Sequence, residues 1–387
     1  MLNYVDRQAI AVLKPVIAAD LNWSDADYGR LASLFQFAAA VGFVFAGRLV
    51  DRLGVKWANP AGVVAWSLAA MSHGWARTFA QFAAARAALG LTESMGTPSG
   101  IKTVSALFGA DARAAAIGLM NAAGNVGAIL TPVLVPLIAA PLGWRASFVA
   151  IGAAGLVWAL VWASAVTGLE SQSGARDRSD AAGIPILRDR RTWAIAGAKA
   201  LSDHVWWLLL FWAPDFFHRV FHLGLTQLAA PLAIVYGCAA IGSLLGGAAS
   251  TALVSRGMEV VRARRLVLLV CALLVTPAPL ALTAQNQWIA AGLIGLLLAA
   301  HQGFSVNIFA LVGDVVPANA VGRVTAFGSL CGNLAGMAVV FVAGEILTRG
   351  VGYGPLLELC AVSYLAAWTW LRLMLPRSAP SDWPVRH

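Results

Sequence analysis

Gly47-Arg48-Leu49-Val50-Asp51-Arg52-Leu53-Gly54-Val55-Lys56 joins two long apolar segments, approximately 28–50 and 58–77. Each residue type has a physical use there. Gly47 permits close helix contact, Asp51 can meet a helix end or a neighbouring arginine, and the basic residues resist crossing a bilayer. The flanking segments are long enough to cross one, because about twenty apolar residues span a hydrocarbon core of about 30 Å.

Working outward, twelve such segments recur: approximately 1–19, 28–50, 58–77, 80–100, 113–139, 147–167, 192–217, 228–252, 265–284, 287–312, 323–346 and 355–375. The chain of 387 residues is 59% hydrophobic and 12% charged, whereas a soluble chain carries about a quarter charged residues. Sheets are disfavoured, since an open edge in lipid leaves backbone groups unpaired. The expected class is an all-α membrane protein that crosses the bilayer many times.

The net charge of +9 would suit nucleic acid, but its distribution excludes that partner. Basic residues crowd alternate loops: Arg48, Arg52 and Lys56, then Lys102 and Arg113, then the group from Arg176 to Arg191, then Arg256 to Arg265, then the tail. The intervening loops hold chiefly Arg77, Arg145, Arg219 and Arg349. That bias puts the basic loops and the C-terminus in the cytoplasm, with the plasma (inner) membrane as the expected location and a monomer as the expected assembly. The loop 169–190 is the only long polar stretch. It is expected to link a six-helix bundle over 1–168 to a second over 191–376, leaving 377–387 as a cytoplasmic tail. Two bundles around a midplane site is a common transporter plan.

Ionisable residues inside apolar segments cost about 2.5–3.5 kcal/mol each and usually mark an ion or substrate path. Asp6 and Arg7 in the first segment, with Arg86 and Glu93 in the fourth, suggest a site that binds an anion and moves a proton. Only five residues precede Asp6, about 7.5 Å of helix, against about 15 Å for half a hydrocarbon core. Asp6 therefore lies shallow, or the cytoplasmic turns of a truncated first helix are missing, for which a start placed too late is the favoured explanation.

Several motifs carry a family resemblance. The loop 47–56, with Gly47, Asp51, Arg52, Gly54 and Lys56, resembles the gating signature of the major facilitator superfamily, a glycine, an acid four residues on, then basic residues. The corresponding place in the second half, from Gly246 to Gly257, has Thr251 instead of the acid. Asn3-Tyr4-Val5-Asp6-Arg7-Gln8 and Arg86-Ala87-Ala88-Leu89-Gly90-Leu91-Thr92-Glu93, with Pro98 beyond, are similar to the first and fourth helices of the anion–cation symporters. Leu201-Ser202-Asp203-His204-Val205-Trp206-Trp207 to Pro214 and His301-Gln302-Gly303-Phe304-Ser305-Val306-Asn307 to Pro317 resemble the hexuronate branch of that family. The resemblance implies twelve transmembrane helices in two six-helix bundles. It also implies proton-coupled import of a sugar acid such as glucuronate or galacturonate.

The residues then suggest roles. Arg7 is expected to hold the substrate carboxylate, since a planar guanidinium matches it with two parallel bonds. Asp6 and Glu93 are the expected proton carriers: burial raises a carboxyl pKa, an adjacent arginine lowers it, and rocking bundles exchange the two influences. The alternative is a static buried pair, Glu93 with Arg86. The resemblance sets Arg86 near the acids, alternating between them and substrate, and favours Tyr4 and Asn125 as hydrogen-bonding partners. Gln36 is a further candidate read from its place in an apolar segment, and Trp207, His301, Gln302 and Asn307 are candidates in the second half. Lys199 and Asp203, four apart, read first as an intrahelical pair.

No metal or cofactor is expected. Cys238, Cys271, Cys331 and Cys360 are widely spaced packing residues, and the His218–His222 spacing lacks a third ligand nearby, so a solvated helix end is expected. A phosphate-binding glycine loop and a hydrolase nucleophile motif are both missing, so the chain reads as no enzyme. Other readings are a symporter of an aldonate, aldarate or aromatic acid, and a transporter-like receptor. Against the receptor, neither the central loop nor the tail resembles an output domain.

Overall fold

The computed structural model describes the backbone of residues 1–107, 110–165 and 186–375. Among these residues the regular structure is helical throughout: α1 Leu2–Leu21, α2 Asp25–Ser72, α3 Phe79–Glu93, α4 Gly96–Leu107, α5 Ala110–Leu142, α6 Trp144–Ala165, α7 Arg190–Phe221, α8 Ala229–Ser255, α9 Val260–Val275, α10 Gln287–Val315, α11 Ala318–Thr348 and α12 Gly354–Met374. The twelve apolar segments map onto these, with α2 supplying two crossings and α3 with α4 supplying one.

Local sequence accounts for the boundaries that matter to the site. α1 stops where Asn22 adopts a left-handed conformation (φ 53°) and returns its N–H to the Ala18 carbonyl, a common helix ending. Two residues on, Ser24 opens α2 with a capping box closed by Asp27, which satisfies two otherwise orphaned N–H groups.

The quoted stretch 47–56 is a kink rather than an extended loop. α2 holds helical geometry on both sides of Gly54, which alone departs from it at φ 71°, ψ 172°. Glycine takes that conformation without the steric cost a Cβ would add. Ala46, Val50, Ala58 and Met95 pack across the kink, with Leu53 against them. Arg52 is exposed and the Lys56 ammonium lies 5.5 Å from the Trp57 ring centre. The surroundings of Gly47 and the side chain of Asp51 lie outside the described residues.

The fourth apolar segment is broken where the sequence analysis expects continuity. α3 ends at Glu93 and α4 begins at Gly96. Pro98 has no N–H to return to the Ser94 carbonyl, so the chain turns there. α3 can lie close on α2 because Gly90 presents no side chain: a Cβ there would sit 2.4 Å from the Phe35 carbonyl oxygen.

Seven of the described helical stretches are long and apolar enough to cross a membrane on their own account. α1 is not among them, since Asp6, Arg7 and Lys14 interrupt it. Two compact units are distinguished by their internal contacts. One comprises Met1–Gly174, Leu210–Ala233 and Val340–Arg349; the other comprises Ala175–Leu209, Ile234–Val339 and Gly350–His387. In the first, α2 packs on α3 and α6, and α1 on α5 and α6. In the second, α9 packs on α10 and α12. The expected linker falls mostly, and the expected tail wholly, outside the described residues.

Candidate functional site

In the first unit, α1 and α3 bring four ionisable side chains into one buried cluster, against Phe35 of α2. Asp6 is 3% exposed, Glu93 1% and Arg86 0%, and the charges of Asp6, Arg7, Arg86 and Glu93 act on one another. Arg7 donates from Nε to Glu93 Oε2 at 2.9 Å. Arg86 makes no hydrogen bond from Nε, Nη1 or Nη2 to any described residue. Its guanidinium carbon lies 4.8 Å from the centre of the Phe35 ring, and that of Arg7 lies 5.7 Å from the same ring. Tyr4, one turn before Arg7, has its ring 5.6 Å from the Arg7 guanidinium.

The polar groups around this cluster are just as short of partners. Asp6 Oδ1, Glu93 Oε1 and both amide atoms of Gln36 and of Gln8 are buried without a hydrogen bond to a described residue. Buried polar atoms are normally paired with protein or water, and leaving one unpaired costs about 1–3 kcal/mol. These atoms can therefore form hydrogen bonds with water or with a polar ligand. Gln8 belongs to this set although the sequence analysis quoted it only within a motif. Its signal was available: a carboxamide one turn beyond Tyr4, in an apolar helix. The Asn125 side chain lies outside the described residues.

The candidates of the second unit are more fully occupied. His301 sets Nδ1 2.6 Å from the Tyr364 hydroxyl and stacks on Trp206 with ring centres 5.6 Å apart, while Tyr364 donates to the Ser202 carbonyl at 3.2 Å. Asn307 spends its Nδ2 protons on the carbonyls of Gly246 and Gly303, at 2.9 and 2.8 Å, which ties α10 to α8. Trp207 and Gln302 are half-buried. Lys199 and Asp203 form an ion pair of 2.8 Å within α7. In the first unit, His218 sets Nδ1 2.8 Å from the Leu223 carbonyl, and His222 is exposed beyond the helix end.

The family model described as Major Facilitator Superfamily matches residues 1–382. The Hexuronate transporter of Escherichia coli (strain K12) is 26% identical over 96% of this chain and 91% of that protein. The Galacturonate transporter of Dickeya chrysanthemi is 28% identical over 64% and 77% of the two chains, and the D-galactonate transporter of an Escherichia coli O6:H1 strain is 25% identical over 97% and 93%. Among solved structures, a bacterial homolog of the human lysosomal transporter Spinster, in an inward-facing and unoccupied conformation, superposes with a TM-score of 0.72 at 20% identity. It covers 96% of this chain and 92% of that one. The fold is therefore the twelve-helix transporter fold, and the protein is a multi-pass membrane transporter rather than an enzyme. The chain belongs to the Major Facilitator Superfamily.

Proposed function

We propose that this protein imports an anionic sugar acid, a hexuronate such as glucuronate or galacturonate, by proton symport with alternating access. The observation that carries this reading is Arg86: a wholly buried guanidinium without a hydrogen bond to any described residue, acted on by two carboxylates and a second arginine. A carboxylate ligand satisfies such a group with two parallel bonds, and the unpaired amides of Gln8 and Gln36 offer donors and acceptors to sugar hydroxyls. Relatives named as hexuronate, galacturonate and D-galactonate transporters support that ligand class.

In this reading Arg7 is shared. While Glu93 is ionised it holds Arg7; a proton on Glu93 removes that charge and frees Arg7 to clamp the substrate carboxylate beside Arg86. Asp6 is the second proton carrier, and Tyr4 and Asn125 complete the polar lining. Trp207, His301, Gln302 and Asn307 are the candidate substrate-binding residues of the second half. The bundles are 1–168 and 191–376, linked through 169–190, and Gly47, Asp51, Arg52, Gly54 and Lys56 form the cytoplasmic gate. The tail 377–387 lies on the cytoplasmic side of the inner membrane, and the monomer is the working unit. Proton coupling has an energetic purpose: an inside-negative potential opposes anion entry by about 2.3 kcal/mol per charge per 100 mV, and one proton per monoanion cancels that cost.

A second reading, symport of an aldonate or another organic anion, rests on the D-galactonate transporter matching nearly the whole chain. Uptake of labelled glucuronate into proteoliposomes, with and without an inward proton gradient, tests the proposal. Gradient-dependent accumulation is expected. Uptake of galactonate but not glucuronate assigns the second reading, and accumulation indifferent to the gradient removes the proton.

A further inference from the structure

A second set of charges, three of them largely buried, lies about two turns further along α1, and its chemistry is the opposite of the first. Lys14 is 2% exposed and donates from Nζ to Asp25 Oδ1 at 2.6 Å and to Asp215 Oδ1 at 2.5 Å. Arg219 also bonds both acids, Asp215 at 2.8 Å and Asp25 in a close contact. The four side chains form a closed ring in which each cation bridges both carboxylates and each carboxylate bridges both cations. The Lys14 ammonium also sits 4.6 Å from the Trp212 ring centre and 5.3 Å from that of Tyr28. The Tyr28 hydroxyl donates to the Phe211 carbonyl at 2.7 Å.

The ring borders a cavity of about 500 Å³ that Trp23, His218 and Thr348 also line. A ligand site of that size would be plausible on volume alone. The hydrogen bonding argues against it, because no lining residue of this cavity carries a buried side-chain N or O without a partner among the described residues. Arg86 and the amides of Gln8 and Gln36 lack hydrogen-bond partners among the described residues, whereas this ring supplies its own. Its members come from α1, the first turn of α2 and the end of α7. It therefore fastens a segment from the second half of the sequence, Leu210–Ala233, into the compact unit built by the first.

We propose that the Lys14–Asp25–Asp215–Arg219 ring is a charge latch that holds the path shut on the face opposite the basic loops. It takes from the proposed function only the premise that the path opens alternately to both faces. A closed ring suits this task. Breaking one bond leaves a buried charge short of a partner, so it resists partial opening and favours two discrete states. Separation of α7 from α1 and α2 releases all four groups toward water, where their ionisation costs little.

The test needs no substrate. Ala11 is wholly buried, three residues deeper on α1 than Lys14. In a background with the four cysteines replaced, Ala11→Cys is labelled in intact cells with a membrane-impermeant maleimide. Asp215→Asn and Lys14→Met are each expected to raise the labelling rate about tenfold or more, by analogy with the cost of breaking a buried pair. Joined in one protein they should give no more than the larger single effect, since both break one ring. Arg219→Gln, at an exposed position, is the variant least prone to misfold and should move the rate in the same direction. Unchanged labelling in monodisperse Asp215→Asn and Arg219→Gln proteins overturns the latch, as does a double variant whose effect is the product of the singles. Because glucuronate is absent, neither outcome depends on the identity of the transported anion.

Discussion

Glu93 is held by Arg7 of α1, at 2.9 Å, and not by Arg86, which precedes it by two turns on its own helix. The pairing has two consequences. It leaves the Arg86 guanidinium buried with no hydrogen bond among the described residues, and it makes the Arg7 pairing depend on the charge of Glu93. The arginine expected from the sequence to clamp substrate is engaged in this state. The arginine expected to alternate is the one whose nitrogens make no hydrogen bond to a described residue.

The first prediction separates binding from architecture. Arg86→Met should abolish glucuronate uptake while the unfolding midpoint stays level or rises, because replacing buried charge by apolar bulk is often neutral or stabilising by about 1–4 kcal/mol. Thermal unfolding of the purified protein with and without glucuronate reads both effects. Saturating ligand at a hundredfold over Kd should stabilise the parent protein by about 2.7 kcal/mol and leave the variant unmoved. A structural arginine gives the reverse: a lower midpoint with the ligand response intact.

Gln36 offers a finer probe. Both of its amide atoms lack partners among the described residues, so Gln36→Leu should not lower stability. If the amide reads a sugar hydroxyl, apparent affinity for glucuronate should fall by about 0.5–1.5 kcal/mol, the net worth of one neutral hydrogen bond. Competition assays with a carboxylic acid lacking that hydroxyl should show no difference between parent and variant. An equal loss for both acids would make the effect one of packing.

Lys199 and Asp203 test the structural reading of a buried pair. Lys199→Met alone leaves Asp203, only 15% exposed on its side chain, without its cation, and should cost about 3–5 kcal/mol. Lys199→Met with Asp203→Leu should recover most of that loss, since both charges go together. Unfolding midpoints of the three proteins give the answer. Full stability with lost transport in the double variant would move the pair from the scaffold to the substrate path.

Much of this was legible in sequence, for reasons that particular residues make plain. The number of crossings followed from apolar length, whereas Gly54 was read only as part of a motif and its turn (φ 71°) emerged from the structure. Asp6, Arg7, Arg86 and Glu93 stood out because charge is costly in apolar segments, which is also why they were read together. Their pairing was not legible. Helical spacing sets Arg86 and Glu93 on one face, but which arginine reaches Glu93 depends on how α1 lies against α3, a tertiary fact. The break after Glu93 was signalled by Gly96 and Pro98 and was overlooked, because apolar character continues across it. Lys14 and Asp215 were equally visible as charges in apolar segments. Their meaning appears only when residues about two hundred positions apart are found sharing one bond.

The central claim is that Glu93 couples the proton to the anion through Arg7, and Glu93→Gln tests it most directly. In proteoliposomes, the variant should lose accumulation of labelled glucuronate driven by an inward proton gradient while exchange of internal for external glucuronate persists, since both arginines remain. Gradient-driven accumulation at the parent level in the Glu93→Gln protein would contradict the account, for the proton would then travel without the residue that binds Arg7.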